Sequence, residues 1–222
     1  MRDAYHEELD ALSDQLVEMT RLVGSAISRA SMSLLDADLG LAESVIAADD
    51  AINLLRDDLD HRALDLLARQ QPVASDLRTI VTSLRMSADL ERMGDLARHV
   101  ARVARRRAPE SAVPPTLRST VVEMSQVAER LVAKAGSVIA SQDLAAALEL
   151  EGDDDEMDHL HRALFTALLD TASPYGVEEA IDITSVGRYY ERFADHAVSV
   201  AGRVIYLVTG QRAEHLVSGP GS

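Results

Sequence analysis

An internal duplication runs through the sequence and narrows the range of folds open to it. Val17-Glu18-Met19 recurs 105 residues later as Val122-Glu123-Met124, and Glu91-Arg92-x-x-Asp95 recurs 100 residues later as Glu191-Arg192-x-x-Asp195. We place the five-residue difference at the turn before the last of these segments, because a deletion inside a helix would rotate its buried face. A repeat of this length predicts two similar structural units. The offset of 105 also pairs four polar positions: Asp38 with Asp143, Asp49 with Asp154, Asp50 with Asp155, and Asn53 with Asp158.

Both units have the pattern of α-helices. Aromatic residues make up only 3% of the chain, whereas strands need aromatic and β-branched residues in alternation. Breaks at Asp38, at Gln71-Pro72 and at Ser173-Pro174-Tyr175-Gly176 separate the helical segments. The sequence therefore predicts an all-α fold of six helices in two groups of three. Apolar residues of the first segment recur at the spacing of one helix face: Leu9, Leu12, Leu16, Met19, Val23, Ala26, Ala30 and Leu34.

Three prolines between residues 109 and 115 separate the two groups of helices. Proline removes a backbone donor and clashes with the preceding helical turn, so this segment is not the interior of a helix. We predict a first unit over residues 1–108, a linker over 109–115, a second unit over 116–213 and a disordered tail over 214–222.

The composition excludes several classes of protein. With 22 Lys and Arg against 37 Asp and Glu, the formal net charge is −15, which makes nucleic acid an improbable partner. The chain has no cysteine, which excludes a disulfide framework, a zinc ribbon and a thiol nucleophile. No apolar run approaches the roughly 18 residues of a membrane span, and the first residues are too polar for a signal peptide. We expect a cytoplasmic protein.

The repeated Glu-x-x-x-Asp motif is the main candidate for a functional site. Glu91 and Asp95 lie on one helix face, as do Glu191 and Asp195, and both pairs border the apolar stripe. Carboxylates at the edge of a core need a positive partner. A divalent cation would supply one, and oxygen ligands suit Mg, Mn, Ca or Fe. We predict that a facing helix completes each ligand set: Asp50 and Asn53 in the first unit, and Asp155 and Asp158 in the second.

Other interpretations of these residues stay open. Arg92 and Arg192 would neutralise the carboxylates as ordinary salt bridges. His99 and His196 lie beside the motif, but their repeat equivalents Ser199 and Leu96 are not ligands. The chain lacks a Gly-rich phosphate loop, a nucleophile elbow and a Glu-x-x-His pair, so we predict no catalytic residue and no enzyme. A carboxylate-bridged metalloenzyme and a metal-free scaffold are the alternatives.

Three stretches of the first unit resemble the signature of the PhoU family of phosphate-transport regulators. They are residues 42–53, the run Gln70-Gln71-Pro72-Val73-Ala74-Ser75-Asp76-Leu77-Arg78, and the run from Ala88 to Ala97. The resemblance extends over about residues 5 to 210. The second unit departs from the signature, because Arg188-Tyr189-Tyr190 precedes Glu191 and Phe193-Ala194 replaces a bulky residue followed by glycine.

The resemblance implies two three-helix bundles related by a pseudo-twofold axis, with divalent or multinuclear metal (Mg, Mn, Fe or Zn) on the acidic motifs. It also implies a negative regulator of the phosphate-starvation response, which links the ATPase of a phosphate ABC transporter to a sensor histidine kinase. Such a protein is cytoplasmic, reaches the membrane through its partners and forms a homodimer.

Overall fold

The computed structural model describes residues 2–70, 72–169 and 175–211. It contains a short 3-10 turn, Pro115–Leu117, and no strand in these ranges. The described part of the chain thus confirms the predicted all-α fold of six helices, while the predicted tail over 214–222 lies outside it. The helices are α1 Arg2–Asp36, α2 Leu39–Gln70, α3 Ser75–Arg107, α4 Arg118–Ser141, α5 Leu144–Leu169 and α6 Val177–Thr209.

The duplication extends to the turns between helices. Asp38 accepts a hydrogen bond from the Leu41 N–H at 2.9 Å, and Asp143 accepts one from the Ala145 N–H at 2.8 Å. Each aspartate thereby caps free N–H groups in the first turn of α2 or α5. The residue before each cap, Ala37 or Gln142, has φ 53°, the left-handed conformation that commonly ends a helix. The two turns are therefore built alike.

The two halves pack as equivalent three-helix bundles. In the first half α1, α2 and α3 contact one another, and in the second half α5 and α6 both pack on α4 and on each other. The halves meet where α1 packs on α4 and α3 packs on α6. Each of these contacts joins a helix to its own repeat equivalent, as a twofold relation between the halves requires. One continuous apolar core runs through both bundles.

The segment that joins the halves belongs to this core. Ala112 and Val113 of the predicted linker are 1% and 3% exposed. Burial of these side chains removes apolar surface from water and holds the segment against the helices. The two bundles are thus joined by a packed connection.

Polar contacts between the halves reinforce the apolar interface. The hydroxyl of Tyr190 on α6 lies 2.6 Å from the hydroxyl of Ser31 on α1, and both are buried. At the end of α3, Arg106 and Arg107 both pair with Asp182 of α6, with Arg107 Nε 2.5 Å from Asp182 Oδ2. Two arginines of the basic run at residues 105–107 are therefore used inside the molecule. None of the described helices is both long and apolar enough to cross a bilayer.

Candidate functional site

The first acidic cluster lies between α2 and α3. Asp49 of α2 is 5% exposed, and its Oδ2 atom accepts a hydrogen bond at 2.6 Å from Nη1 of Arg98 on α3. The second terminal nitrogen of Arg98, Nη2, donates to Asp95 Oδ1. Asn53 Nδ2 also reaches Asp49 Oδ2, at 3.4 Å. One guanidinium therefore bridges two carboxylates from two helices.

Helix geometry and one glycine produce this arrangement. Asp95 and Arg98 are three residues apart on α3, and Asp49 and Asn53 are four apart on α2, so each pair shares a helix face. A Cβ atom at Gly94 would lie 2.8 Å from Cδ1 of Ile52 and 3.7 Å from Oδ1 of Asp49. The missing side chain at position 94 lets α2 approach α3 closely, and this approach brings Asp49 to the Asp95 face.

Burial dominates the electrostatics of the first cluster. It raises the pKa of Asp49, because a low-dielectric surrounding disfavours the charged carboxylate. The positive charge of Arg98 acts against this increase, whereas the negative charges of Asp95 and Asp50 add to it. The charge of Arg92 contributes less directly, since its Nη1 atom lies 3.3 Å from Asp95 Oδ2 and its side chain is exposed. Arg98 is the principal counter-charge of this cluster.

The second acidic cluster lies at the equivalent place, between α5 and α6. Asp154 of α5 is half-buried, and its pKa is raised to about 6. Burial is the largest cause, and the negative charges of neighbouring carboxylates are the others. Those neighbours, in order of effect, are Asp195, Asp158, Asp155 and Glu191. The largest contributions to this shift thus come from burial and from negative charge, and the second cluster is a concentration of carboxylates.

Two basic residues of α4 are paired with carboxylates of α5 other than Asp154. Lys134 of α4 lies 2.6 Å from Asp153 and 3.2 Å from Glu149, and Arg130 lies 2.5 Å from Glu156. The position equivalent to Arg98 is occupied by Val198, which carries no charge. Four carboxylates match between the two clusters, Asp158 of the second replaces Asn53 of the first, and the clusters differ in their counter-charge.

The eight residues that the sequence predicts as metal ligands differ in their exposure and in their partners. Glu91, Asp95 and Glu191 are half-buried at the acidic faces, whereas Asp195 is exposed. The two facing-helix residues of the first unit differ: Asn53 hydrogen-bonds to Asp49, while Asp50 is exposed. In the second unit, Asp155 and Asp158 are both exposed and both act on Asp154. The assignment of these eight residues as metal ligands stays a prediction.

Sequence reasoning missed the two central carboxylates. Asp49 and Asp154 lie one residue before the chosen Asp50 and Asp155, and they point toward the neighbouring helix. The repeat had already paired them, and they are four residues before Asn53 and Asp158 respectively. Side chains four residues apart on a helix lie closer in direction than side chains three residues apart. Asp49 is therefore better aligned with Asn53 than Asp50 is, and Asp154 is better aligned with Asp158 than Asp155 is. This signal would have identified both.

The two clusters differ in how well they fit a divalent cation. Among the described residues, no three His, Asp or Glu side chains already stand as a metal-binding group. In the first cluster, the Arg98 guanidinium takes the place between Asp49 and Asp95 that a cation would need. The second cluster offers only carboxylate oxygens and excess negative charge, which are the donor chemistry of hard divalent cations. By donor chemistry, the second cluster suits a divalent cation better than the first does.

The two histidines beside the motifs have partners within the protein. His196 Nδ1 lies 3.2 Å from Oδ1 of Asp89 across the interface between α3 and α6, and Arg203 Nε lies 2.5 Å from the other oxygen of Asp89. Burial raises the pKa of Asp89, but these two partners outweigh it and hold the pKa below its usual range. The ring of His99 packs on Tyr189 of α6, with centroids 5.2 Å apart. These contacts tie both histidines to the joint between the halves.

Comparisons with known proteins agree with the duplicated fold. A family model described as the PhoU domain matches the chain twice, at residues 16–104 and 121–204. The chain is 50% identical over 210 residues to "Phosphate-specific transport system accessory protein PhoU homolog 2" of Mycobacterium tuberculosis, a match that covers 95% of this chain and 99% of that protein.

Two solved structures have the same architecture. The crystal structure of PhoU from Pseudomonas aeruginosa has a TM-score of 0.84 and 34% identity, and the match covers 93% of this chain and 100% of that one. The phosphate transport system regulatory protein PhoU from Streptococcus pneumoniae has a TM-score of 0.85 over 94% of this chain and 98% of that one. Its identity of 23% makes it a likeness of fold alone.

Proposed function

This chain belongs to the PhoU family, and from that premise we propose that it is an accessory protein of phosphate transport that restrains uptake when phosphate is plentiful. The observation that carries this proposal is the match at 50% identity to an accessory protein of the phosphate-specific transport system, over nearly the full length of both chains. The proposal assigns the chain no catalytic residue.

We propose that the protein acts as an adaptor between two partners. One is the ATPase of a phosphate ABC transporter, and the other is a sensor histidine kinase that the adaptor keeps inactive. The protein would work in the cytoplasm as a homodimer and reach the membrane through these partners. The charge distribution supports a role in docking, because α2 and α5 form acidic outer edges while α3 exposes Arg85, Arg102 and Arg105. Complementary charge favours specific and rapid association.

A divalent cation on the second cluster is part of the proposed mechanism. Asp154, Asp158, Glu191 and Asp195 would hold it, with Asp155 at the edge of the set. An all-oxygen donor set suits Mg²⁺ or Mn²⁺ better than Zn²⁺, which prefers nitrogen and sulfur ligands. The bound ion would supply positive charge that offsets the repulsion between carboxylates of α5 and α6. These carboxylates would thereby fix the orientation of α5 against α6 and the surface that a partner meets.

Deletion of the gene tests the regulatory role. In medium with ample phosphate, we expect the deletion strain to take up labelled phosphate faster than its parent and to express a phosphate-starvation reporter. A plasmid with the wild-type gene should reverse both changes. Uptake and reporter levels equal to those of the parent would contradict the proposal.

Binding experiments test the partners and the ion separately. The purified chain should co-elute with the transporter ATPase and with the cytoplasmic part of the kinase, and it should lower autophosphorylation of the kinase. The Asp195→Asn variant should weaken this effect, while Asp14→Asn, at an exposed position of α1, is the matched control. Sedimentation velocity of the purified chain tests the homodimer. Failure to bind either partner would leave an accessory protein without the adaptor role.

A further inference from the structure

We propose that Arg98 is a built-in replacement for a cation, so that the first half of the molecule is insensitive to divalent ions and only the second half responds to them. This inference rests on the proposed cation of the second cluster and concerns how the two clusters differ. It assigns Arg98 a positioning role between α2 and α3.

Arg98 connects α2 to α3. Its two terminal nitrogens reach different carboxylates, Asp49 on α2 and Asp95 on α3, and its side chain is 24% exposed. A guanidinium is planar, always charged and able to bridge two carboxylates with its fixed fork of donors. Arg98 thus makes the same connection between helices that a shared metal ion would make.

The second half of the repeat has no counterpart of Arg98. Asp49, Glu91 and Asp95 of the first cluster correspond to Asp154, Glu191 and Asp195 of the second, so the same carboxylates recur at the same places. Arg98 corresponds to Val198, which leaves the second cluster without the guanidinium. The clusters therefore differ at two polar positions: Asn53 corresponds to Asp158, and Arg98, which supplies positive charge to the first cluster, corresponds to the uncharged Val198.

The two clusters should respond differently to the concentration of free divalent ions. An arginine cannot dissociate from its helix, so the first cluster keeps its bridge whatever the concentration of free ions. An ion at the second cluster exchanges with solvent, so its occupancy follows that concentration. The arrangement of α2 and α3 then stays constant, while ion occupancy changes the orientation of α5 against α6.

Manganese binding by the full-length protein tests the inference without reference to any activity. We expect wild-type protein titrated with Mn²⁺ to bind ions that Asp195→Asn removes and that Asp95→Asn leaves unchanged. Arg98→Val, which installs the residue found in the second half, should raise the Mn²⁺ bound to about twice the wild-type amount. Adding Asp95→Asn to Arg98→Val should cancel this increase. Val198→Arg should abolish the wild-type binding.

A matched control separates the bridge from overall charge. Arg102→Val removes an exposed arginine from α3, one turn after Arg98, and changes the net charge by the same amount. It should leave Mn²⁺ stoichiometry unchanged. A melting temperature that rises with Mn²⁺ in Arg98→Val, and more than in wild type, would show that the ion restores the lost bridge.

The outcomes distinguish this inference from the proposed function. Loss of wild-type Mn²⁺ binding in Asp95→Asn would overturn the inference while leaving the second-cluster ion in place. If Arg98→Val fails to fold, the comparison of Asp95→Asn with Asp195→Asn in the wild-type background still decides it. No binding by wild type together with binding by Arg98→Val would overturn the response of the second half, and with it the ion of the proposed function, and would leave only the statement that Arg98 takes the place of a cation. No binding by either protein would overturn both.

Discussion

Individual carboxylates in this molecule owe their properties to their immediate partners. Asp89 and Asp154 are both removed from bulk water to a large degree, yet their pKa values move in opposite directions. Asp89 is held by His196 and Arg203, whereas Asp154 is surrounded by other carboxylates. Burial penalises both charges, so the sign of the neighbouring charges decides whether each carboxylate stabilises or destabilises the folded state.

Asp154 should make the folded protein less stable as the pH rises. Its pKa of about 6 in the folded state exceeds the unfolded value of about 3.9, so the folded state binds the proton more tightly. The resulting contribution is fully present below the unfolded pKa and is lost as the pH rises through the folded pKa. We expect Asp154→Asn to be more stable than wild type at pH 7 in a chelating buffer, and the difference to vanish near pH 4. Urea unfolding across this range measures it.

A control variant and added ions complete this test. Asp57→Asn alters an exposed aspartate of α2, and its stability should follow wild type at every pH. Mn²⁺ should stabilise wild type more than Asp154→Asn. A wild-type stability that rises steadily between pH 4 and pH 7 relative to Asp154→Asn would contradict the prediction.

Asp89 should have the opposite dependence on pH. Because its folded pKa lies below its ordinary value, its contribution to stability is present above the unfolded pKa and is lost as the pH falls through the folded pKa. We expect Asp89→Asn to lose about 1–3 kcal/mol of unfolding free energy at pH 7, since a buried charge-assisted hydrogen bond is removed. The loss should shrink toward pH 3. Guanidinium unfolding of both proteins at the two pH values provides the measurement.

At the scale of the helices, close approach of neighbouring helices and polar side-chain contacts between them determine the packing. Gly94 brings α2 onto α3, while Tyr190 and Ser31 join α6 to α1. The last turn of α3 meets the first turns of α6 through arginines, whose charge also complements the carbonyl end of α3. The joint between halves therefore combines apolar packing with a few paired charges.

The ion pairs of Asp182 with Arg106 and Arg107 should stabilise the fold more than the ion pair of the exposed Glu178 does. Asp182 is buried and pairs with both Arg106 and Arg107, whereas Glu178 pairs with Arg107 at 3.1 Å and its side chain is 86% exposed. We expect Asp182→Ala to cost about 1–3 kcal/mol, because it leaves Arg107 partly buried without its main partner. Glu178→Ala should change stability by less than about 0.5 kcal/mol. Thermal unfolding of the two variants gives the comparison, and equal effects would mean that the ion pairs of Asp182 are not formed.

The two bundles pack as one unit in spite of the duplication of the sequence. The core is continuous across both bundles, and the segment between them is buried. The two family-model matches, 16–104 and 121–204, therefore mark units of sequence that share a single core. The asymmetry between Arg98 and Val198 gives these similar units different electrostatics.

A single core predicts a single unfolding transition. We expect helical circular dichroism and the near-ultraviolet signal of the tyrosines to change together during denaturation, because neither bundle can lose its packing without exposing the face it buries in the other. Leu90→Ala, a substitution at a fully buried core position of α3, should lower the midpoint by both probes alike, with a cost of about 2–5 kcal/mol. Two resolved transitions would show that the bundles fold independently.

Local features of this protein could be read from its amino-acid order alone. Helix periodicity, the capping aspartates Asp38 and Asp143 and the duplication all depend on residues a few positions apart or on identical patterns, so they survive without knowledge of packing. The same holds for the pairs of carboxylates on one face of α3 and of α6. The sequence therefore predicts the fold class, the six helices and, in each acidic cluster, the pair of carboxylates on α3 or α6.

Contacts between helices could be identified only in the folded structure. Consecutive residues of a helix differ in direction by about 100°, so the choice between Asp49 and Asp50 depends on how α2 is rotated against α3. That rotation is set by packing, here by Ile52 against Gly94, and periodicity alone is too coarse to resolve it. The bridge made by Arg98 is likewise invisible in sequence, because its second carboxylate lies 49 positions away on another helix. Periodicity orients side chains within one helix, and only packing between helices decides which of them meet.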